Sequence, residues 1–442
     1  MDSPSHLVAA SRAVIGSSLL ERLQRLRRPI RVGIIGIGAM GRGLLHQCSI
    51  TPGIRCVAVA DLDLERCRTA ADAVGASYQV AESPAGMERA IARSRLAVCQ
   101  DGDWVAGCDS VDVLVEASSS IVPAARFALR ALQSGKHVVL MNAEVDLAFG
   151  PHLLNLSRAN GVVCTSCDGD QHGVIKHLVD ELTLWGFELV MAGNIKGYLD
   201  RYANPTTIVS EADKRYLDHR MATAYTDGTK LGVEMALLAN ALGLSIRVPG
   251  MLGPRAQHVS QVFELYDFER LWQDRQPCAD YILGAQPDGG VFAVGYNEDP
   301  YQRRLMAYYK MGGGPFYLFY RPYHLCHVEA MSTIAAAALD QVALLQPLCG
   351  RRADVFAVAK RPLSRGSVLE GIGGYDCYGL VDNYASGPAT SWLPICLAEG
   401  MVLKRDLAKD ERIALDDVQV DPDDERFAMY DGGSAPGLGS VR

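Results

Sequence analysis

Residues 29–61 read PIRVGIIGIGAMGRGLLHQCSITPGIRCVAVAD. An apolar run, Ile30 to Ile35, meets Gly36, Gly38 and Gly41 in G-x-G-x-x-G spacing; an amphipathic run follows, and a second apolar run, Ile54 to Ala60, stops on Asp61. The pattern predicts strand, tight turn, helix and second strand. Each glycine has a physical role in holding a dinucleotide: the first permits the turn, the second lets backbone approach a pyrophosphate, and the third lets helix pack on strand. The helix starting near Ala39 and Met40 then points its first N–H groups at the phosphates. Asp61 lies 20 residues beyond Gly41, where an acid accepts hydrogen bonds from a ribose 2′-OH and repels a 2′-phosphate. The expected cofactor is therefore NAD or NADP, with NAD favoured by Asp61. Arg66 and Arg68, about one helical turn on, are the residues that could still meet a phosphate.

At 442 residues the chain has room for two or three domains with cores of their own. Hydrophobic residues make up 49% and charged residues 21%, the balance of a soluble globular protein. A net charge of -8 speaks against a nucleic-acid surface. The densest basic run, Arg22 to Arg31, reads as the solvated face of an N-terminal helix over residues 5–28. The N-terminus MDSPSHLVAASRAV has neither the charged start nor the apolar core of a signal peptide, and no apolar run approaches a membrane span of about 20 residues. The expectation is a cytoplasmic protein that keeps its twelve cysteines as thiols. Cys164 and Cys167 form one C-x-x-C, but without a second pair they read as small residues ending a buried strand rather than as a zinc site.

Alternation continues downstream, with helices over 64–74, 85–94 and 121–134 and strands over 111–117 and 137–141, which predicts a parallel, doubly wound α/β sheet. Three strand ends are polar: Glu116 with Ser118 to Ser120, then Asn142 with Glu144 and Asp146, then Asp168 and Asp170 after a strand over 161–166. Ligands sit outside the carboxyl ends of such strands. Ser118, Ser119 and Asn142 are therefore expected at the nicotinamide half of the cofactor. After a strand FELVMAGN, residues 193–323 turn richer in Tyr, Gly and Pro, as an added α+β substrate domain would be. Two apolar helices, over 230–244 and 330–345, complete it, the second placed to pack back on the first domain. The domain division expected is 1–143 for cofactor, 144–346 for catalysis, a small β-rich domain over 347–430 with no catalytic-looking cluster, and a disordered tail over 431–442. No internal repeat is visible.

Three stretches together resemble a homoserine-dehydrogenase-like family whose members end in a SAF-type domain. They are GIGAMG with Asp61, then SGKHVVLMNAE, and last GGYDCYGLVDN with LPICLAEGMVLKRDLAKDERI. The resemblance implies an NAD(P)-dependent oxidoreductase, and the best-defined activity in the group is 1-deoxy-D-xylulose 5-phosphate reductoisomerase-like. Where homoserine dehydrogenases carry Asn-Lys, this chain has Asn142-Ala143-Glu144, so an aminoacyl guest is no longer the obvious one. DGTKL, from Asp227 to Leu231, looks like the family's Asp/Lys catalytic helix.

The residues suggest roles of their own. Lys230 heads an apolar helix, where a partly desolvated ammonium can polarise a carbonyl or pass a proton, with Asp227 expected to orient it; a lysine in a surface salt bridge is the competing reading. Lys196 and His324 are candidates for the substrate anion, His324 lying in MGGGPFYLFYRPYHLCHVE with Lys310 and Arg321. Glu144, Asp168 and Asp170, if they converge together with Asp146, would repel one another unless a proton or a cation such as Mg²⁺ or Mn²⁺ intervenes; helix capping by Asp146 and Asp170 is the equally weighted alternative. The expected function is oxidation or reduction of a small polyhydroxylated substrate, with or without a phosphate. A plain sugar-acid or polyol dehydrogenase and a non-catalytic dinucleotide sensor or scaffold are the alternatives. Partners expected are a small-molecule substrate and further copies of the same chain.

Overall fold

The structure is a computed structural model describing residues 18–214, 217–384, 391–421 and 423–432. The start of the expected N-terminal helix, up to residue 17, and all but the first two residues of the expected tail lie outside the described residues. The chain forms two compact units: residues 1–170 with 325–346, and residues 171–324 with 347–442.

The first unit is built on seven strands: β1 (Ile30–Ile35), β2 (Ile54–Ala60), β3 (Tyr78–Val80), β4 (Leu96–Cys99), β5 (Val113–Glu116), β6 (His137–Leu140) and β7 (Cys164–Ser166). Their order is β3-β4-β2-β1-β5-β6-β7, and every pairing is parallel. Right-handed crossovers need helices between parallel strands. They are α1 (Leu19–Gln24) before β1, α2 (Ala39–Ile50), α3 (Leu64–Ala73), α4 (Pro84–Ala92), α5 (Gly102–Gly107), α6 (Val122–Gln133) and α7 (Ala143–Ala159). Strands buried on both faces read as continuous apolar runs, and Val32, Ile34, Val59, Val98, Val113, Val115 and Val139 form one core with Leu44 and Leu45 of α2. Three of the five arginines of the basic run are held in ion pairs: Arg22 with Asp340, and Arg28 and Arg31 with Asp112.

α7 and β7 extend this same sheet, so residues 144–170 group with the first unit and not with the catalytic stretch. The returning helix, α15 (Cys326–Asp340), also packs here, with Met331, Ile334 and Ala338 in the core against α2. It ends five residues earlier than the apolar pattern suggested because Gln341 turns left-handed at φ 55° and closes it.

The second unit has a five-stranded mixed sheet, β12-β11-β8-β10-β9, made from β8 (Glu188–Lys196), β9 (Ser245–Ile246), β10 (Cys278–Leu283), β11 (Val291–Tyr296) and β12 (Phe316–Arg321). Five further helices precede or cross it: α8 (Gln171–Leu184), α9 (Val209–Lys214), α10 (His219–Thr226), α11 (Thr229–Leu242) and the one-turn α12 (Val262–Leu265). They are followed by α13 (Phe268–Leu271) and α14 (Pro300–Tyr308). Every residue of α11 except Leu242 is buried, the mark of a helix enclosed all round. One of its faces meets a small antiparallel pair, β13 (Ala353–Ala359) with β14 (Cys377–Asn383), where Gly232 lies against Val355 and Val381. The chain ends its described part in α16 (Glu425–Asp431), whose Tyr430 hydroxyl donates to buried Asp354 at 2.6 Å. The architecture is thus α/β with a doubly wound parallel sheet, a mixed second sheet and a small β-rich C-terminal part. All twelve cysteines are free. No helix of the described residues is long and apolar enough to cross a membrane.

Candidate functional site

The strand order reverses between β1 and β5, and at such a switch point the loops diverge and leave a crevice for ligand. Gly36 sits there at φ +90°, where an added Cβ would lie 2.5 Å from the Ser118 nitrogen. Gly41 is closed in the same way, with a Cβ only 1.9 Å from the Gly36 carbonyl oxygen. Gly38 differs: it caps α2 with extended backbone, and nothing lies within 4 Å of its missing Cβ. Two glycines therefore serve packing, and the middle one opens onto free space at a helix N-terminus, as a pyrophosphate requires. Ala39 and Met40, half-buried, begin the helix.

Asp61 ends beside this turn. Its Oδ2 accepts the Ile37 N–H at 2.7 Å and its Oδ1 accepts the Asp63 N–H at 2.9 Å. The carboxylate thereby fixes the glycine turn, and each oxygen keeps a lone pair for a ribose hydroxyl. Arg66 and Arg68 are engaged by Asp63 and Glu65 in exposed pairs. Across the switch point the serine loop is organised by Asn142, whose side-chain NH₂ donates to the Ser118 and Ser120 carbonyls at 2.9 and 2.7 Å while its Oδ1 caps α7 at Val145. The Ser118 and Ser120 hydroxyls lie 2.9 Å apart, and Ser119 is exposed.

The acids of the strand ends are buried, but they do not form the ligand set anticipated from sequence. Asp168 accepts the Gly169 N–H at 2.7 Å through Oδ1 and the Ser332 hydroxyl at 2.8 Å through Oδ2. Its own N–H donates to Thr333, so this side chain ties a tight turn to α15. Asp146 takes the Ser166 hydroxyl, and burial pushes its pKa up to about 6. Asp170 and Glu144 are buried at 8% and 6% exposure. Among the described residues no group of three metal-capable side chains includes Glu144 or Asp168. These three carboxylates do not come together as one group of potential ligands, so the Mg²⁺ or Mn²⁺ set of Glu144, Asp168 and Asp170 expected from sequence is not assembled by these side chains.

In the second unit, Lys230 lies in the first turn of α11 at 5% exposure. Asp227 does not orient it. The Asp227 carboxylate, fully buried, accepts the Thr229 N–H at 2.9 Å and pairs with Lys360 at 2.8 Å. One residue beyond the end of α10 and two before the start of α11, Asp227 sits in the joint between the two helices and turns its carboxylate onto that joint. Lys360 also donates to the carbonyls of Ala203 and Gly374, at 2.7 and 2.9 Å, so the ammonium is held by two carbonyls and one carboxylate. Burial raises the Asp227 pKa, and the Lys360 ammonium opposes that rise. Gly379 N–H further bonds the Thr229 hydroxyl at 2.8 Å, so β13 and β14 clamp the start of α11. The C-terminal part, in which the sequence shows no catalytic-looking cluster, supplies this buried lysine.

Lys196 Nζ donates to the Tyr225 carbonyl at 2.8 Å. His324 Nδ1 donates to the Gly289 carbonyl at 2.6 Å, which fixes its ring and leaves Nε2 as the nitrogen for a ligand. His327 is a packing residue, its ring against Gly43 of α2.

Residues 14–165 match the family model described as homoserine dehydrogenase, NAD binding domain, and residues 169–330 match oxidoreductase DRL, catalytic domain. Two consecutive stretches of the chain thus match an NAD(P)-binding domain and an oxidoreductase catalytic domain, and the first of them folds as a Rossmann-type parallel sheet. Among solved structures it is similar to 1-deoxy-D-xylulose 5-phosphate reductoisomerase from Zymomonas mobilis in complex with NADPH, at 17% identity over 47% of this chain and 57% of that one, TM-score 0.34. Myo-inositol dehydrogenase from Lactobacillus casei in complex with NAD(H) and myo-inositol gives 19%, 42%, 53% and 0.29. Biliverdin reductase from Synechocystis sp. PCC 6803, in complex with biliverdin and NADP+, gives 19%, 40%, 49% and 0.27. The chain thus spans about half the length of these solved relatives, and at such scores they decide nothing about substrate. No curated protein matches the chain.

Two residues not given a role from sequence gain one from the structure. Glu116 has a signal in the sequence, an acid closing the apolar run VDVLVE. Lys360 closes the run VFAVA in the same way, but its partner lies 133 residues earlier, and nothing local announces it.

Proposed function

We propose that the protein transfers hydride between a nicotinamide dinucleotide and a CH–OH centre of a small polyhydroxylated substrate, with or without a phosphate, in a reaction like that of 1-deoxy-D-xylulose 5-phosphate reductoisomerase. The observation that carries the reading is Lys230, a buried lysine in the first turn of an enclosed helix, within a stretch that matches an oxidoreductase catalytic domain. The nicotinamide would supply or accept the hydride. Lys230 would hold the substrate oxygen and give it a proton as charge develops there, the part a desolvated ammonium plays well. Lys196 and His324 would hold the substrate's anionic end, and Gly36, Gly38, Gly41, Asp61, Ser118, Ser119 and Asn142 the cofactor. The resemblance of the C-terminal part to a SAF module supports a role for it in shaping this same catalytic unit, through Lys360 and Thr229.

A second reading, plain dehydrogenation of a sugar acid or polyol, is favoured by one observation: Glu144, Asp168 and Asp170 do not come together as a set of cation ligands, and a plain dehydrogenation needs none. One assay separates the two. Nicotinamide absorbance is followed with 1-deoxy-D-xylulose 5-phosphate, sugar acids and polyols, with and without chelator and added Mn²⁺. Turnover of the phosphosugar that chelator abolishes supports the reductoisomerase reading. Chelator-indifferent turnover of an unphosphorylated acid or polyol supports the dehydrogenase, and no turnover with any of them removes both.

A further inference from the structure

Glu116 is the one acid of the strand ends whose side chain is fully buried, at 0% exposure. It closes β5, in register with Ile35 of β1 and Leu140 of β6, on the far side of the switch point from the glycine turn. Its Oε1 accepts the Ser118 N–H at 3.0 Å, which ties it to the serine loop. Its Oε2 is buried and accepts no hydrogen bond, and Glu116 makes no ion pair among the described residues. A buried carboxylate with one hydrogen bond and no counter-charge is costly, so the site as it stands suits the neutral acid.

We propose that Glu116 matches its charge to the redox state of the nicotinamide, neutral beside the reduced ring and ionised beside the oxidised one. The inference rests on the dinucleotide reading of the first unit and deepens it. The oxidised ring carries a positive charge that the reduced ring lacks, and the carboxyl ends of β5 and β6 are where the nicotinamide half belongs in a doubly wound sheet. Burial pushes the Glu116 pKa up to about 8, Ser118 and Asn142 oppose that rise, and the charge of Glu144 on α7 adds to it. Of the other acids at the strand ends, Asp146 of α7 accepts the Ser166 hydroxyl and Asp61 beyond β2 accepts two N–H groups. β1, β6 and α15 bring apolar side chains such as Ile34, Val139 and Ile334 to this core. A carboxyl that titrates near neutrality is thus set to respond to one added positive charge. Phosphate charges are common to both cofactor forms and cancel when their affinities are compared.

The test is the ratio of affinities for oxidised and reduced cofactor as a function of pH, on the full chain. The reduced form is titrated by its fluorescence and the oxidised form by competition against it, with the NAD or NADP pair, whichever binds more tightly. Preference should shift toward the oxidised form by about tenfold as pH rises through about 8, the effect of one charge interaction of roughly one pKa unit. Glu116→Gln, which imitates the neutral acid, should hold the low-pH ratio throughout. Glu144→Gln should keep the shift but move its midpoint to lower pH. A carboxylic-acid infrared band that appears on reduction of bound cofactor in the wild type and is missing in Glu116→Gln would support the assignment independently. A ratio indifferent to pH in the wild type, or a shift that survives in Glu116→Gln, would overturn it while leaving the cofactor site intact. Failure of either dinucleotide to bind at any pH would overturn it together with the cofactor reading.

Discussion

Replacing Lys360 by Met should destabilise the second unit and do so in a pH-dependent way. The side chains of Lys360 and Asp227 are 3% and 0% exposed, so solvent cannot replace the lost ammonium. Removing one partner of a buried pair costs about 3–5 kcal/mol. A second route gives a similar figure: holding Asp227 protonated at pH 7, against an ordinary value of 3.8, costs ~4 kcal/mol at 1.36 kcal/mol per pKa unit. Neutralisation therefore caps the penalty, and the two carbonyls left without a donor add roughly 1 kcal/mol each. The total is then about 5–7 kcal/mol, and at roughly 2–4 °C per kcal/mol for a unit of this size the thermal midpoint should fall by about 10–28 °C.

The pH dependence has a definite sign. Without Lys360, the folded-state pKa of Asp227 rises further above its unfolded value, so the folded state holds a proton that the unfolded state releases. Stability of the variant then falls as pH rises from about 4 toward the raised pKa. The deficit relative to wild type should be smallest at acid pH and largest near neutrality, read by calorimetry or urea titration at several pH values. Asp227→Asn in the same background should recover part of the loss, a coupling of about 2 kcal/mol or more in a double-mutant cycle. A loss below about 1 kcal/mol that does not vary with pH and shows no coupling to Asp227 would refute the buried-pair argument.

The glycines of the turn should separate by function. Gly38→Ala adds a methyl to open space and should leave the thermal midpoint within about 2 °C of wild type while weakening dinucleotide binding at least about tenfold in a fluorescence titration. Gly41→Ala drives a Cβ into the Gly36 carbonyl and should lower stability itself by about 2 kcal/mol or more. Asp61→Ala should shift preference from NAD toward NADP, because a 2′-OH acceptor is lost and the repulsion of a 2′-phosphate is relieved; equal relative affinities before and after would remove Asp61 from the ribose. Lys230→Met keeps the apolar stem and should spare cofactor binding while lowering turnover by about 10²-fold or more. Retained turnover on the identified substrate would make Lys230 structural.

The apolar runs, the glycine spacing and the acid 20 residues after Gly41 placed β1, α2 and β2 without any tertiary information. They do so because a strand buried on both faces and a turn against a phosphate each constrain neighbouring residues in the chain. The same holds for α11, whose uninterrupted apolarity announces burial on all sides. Short edge strands were not legible: β3 is three residues long and half-buried throughout, which leaves neither a run nor an alternation to read. Where a buried polar side chain points is not a local property either. Asp227 and Lys230 share one stretch of sequence, yet the carboxylate goes to Lys360, because β13 delivers a lysine to the helix joint from a strand that only folding brings there. Asp168 likewise looked available until α15 returned Ser332 to its free oxygen. Sequence periodicity records which faces are buried; which charges meet inside is decided by the long-range packing that desolvates them and forces each to find a partner.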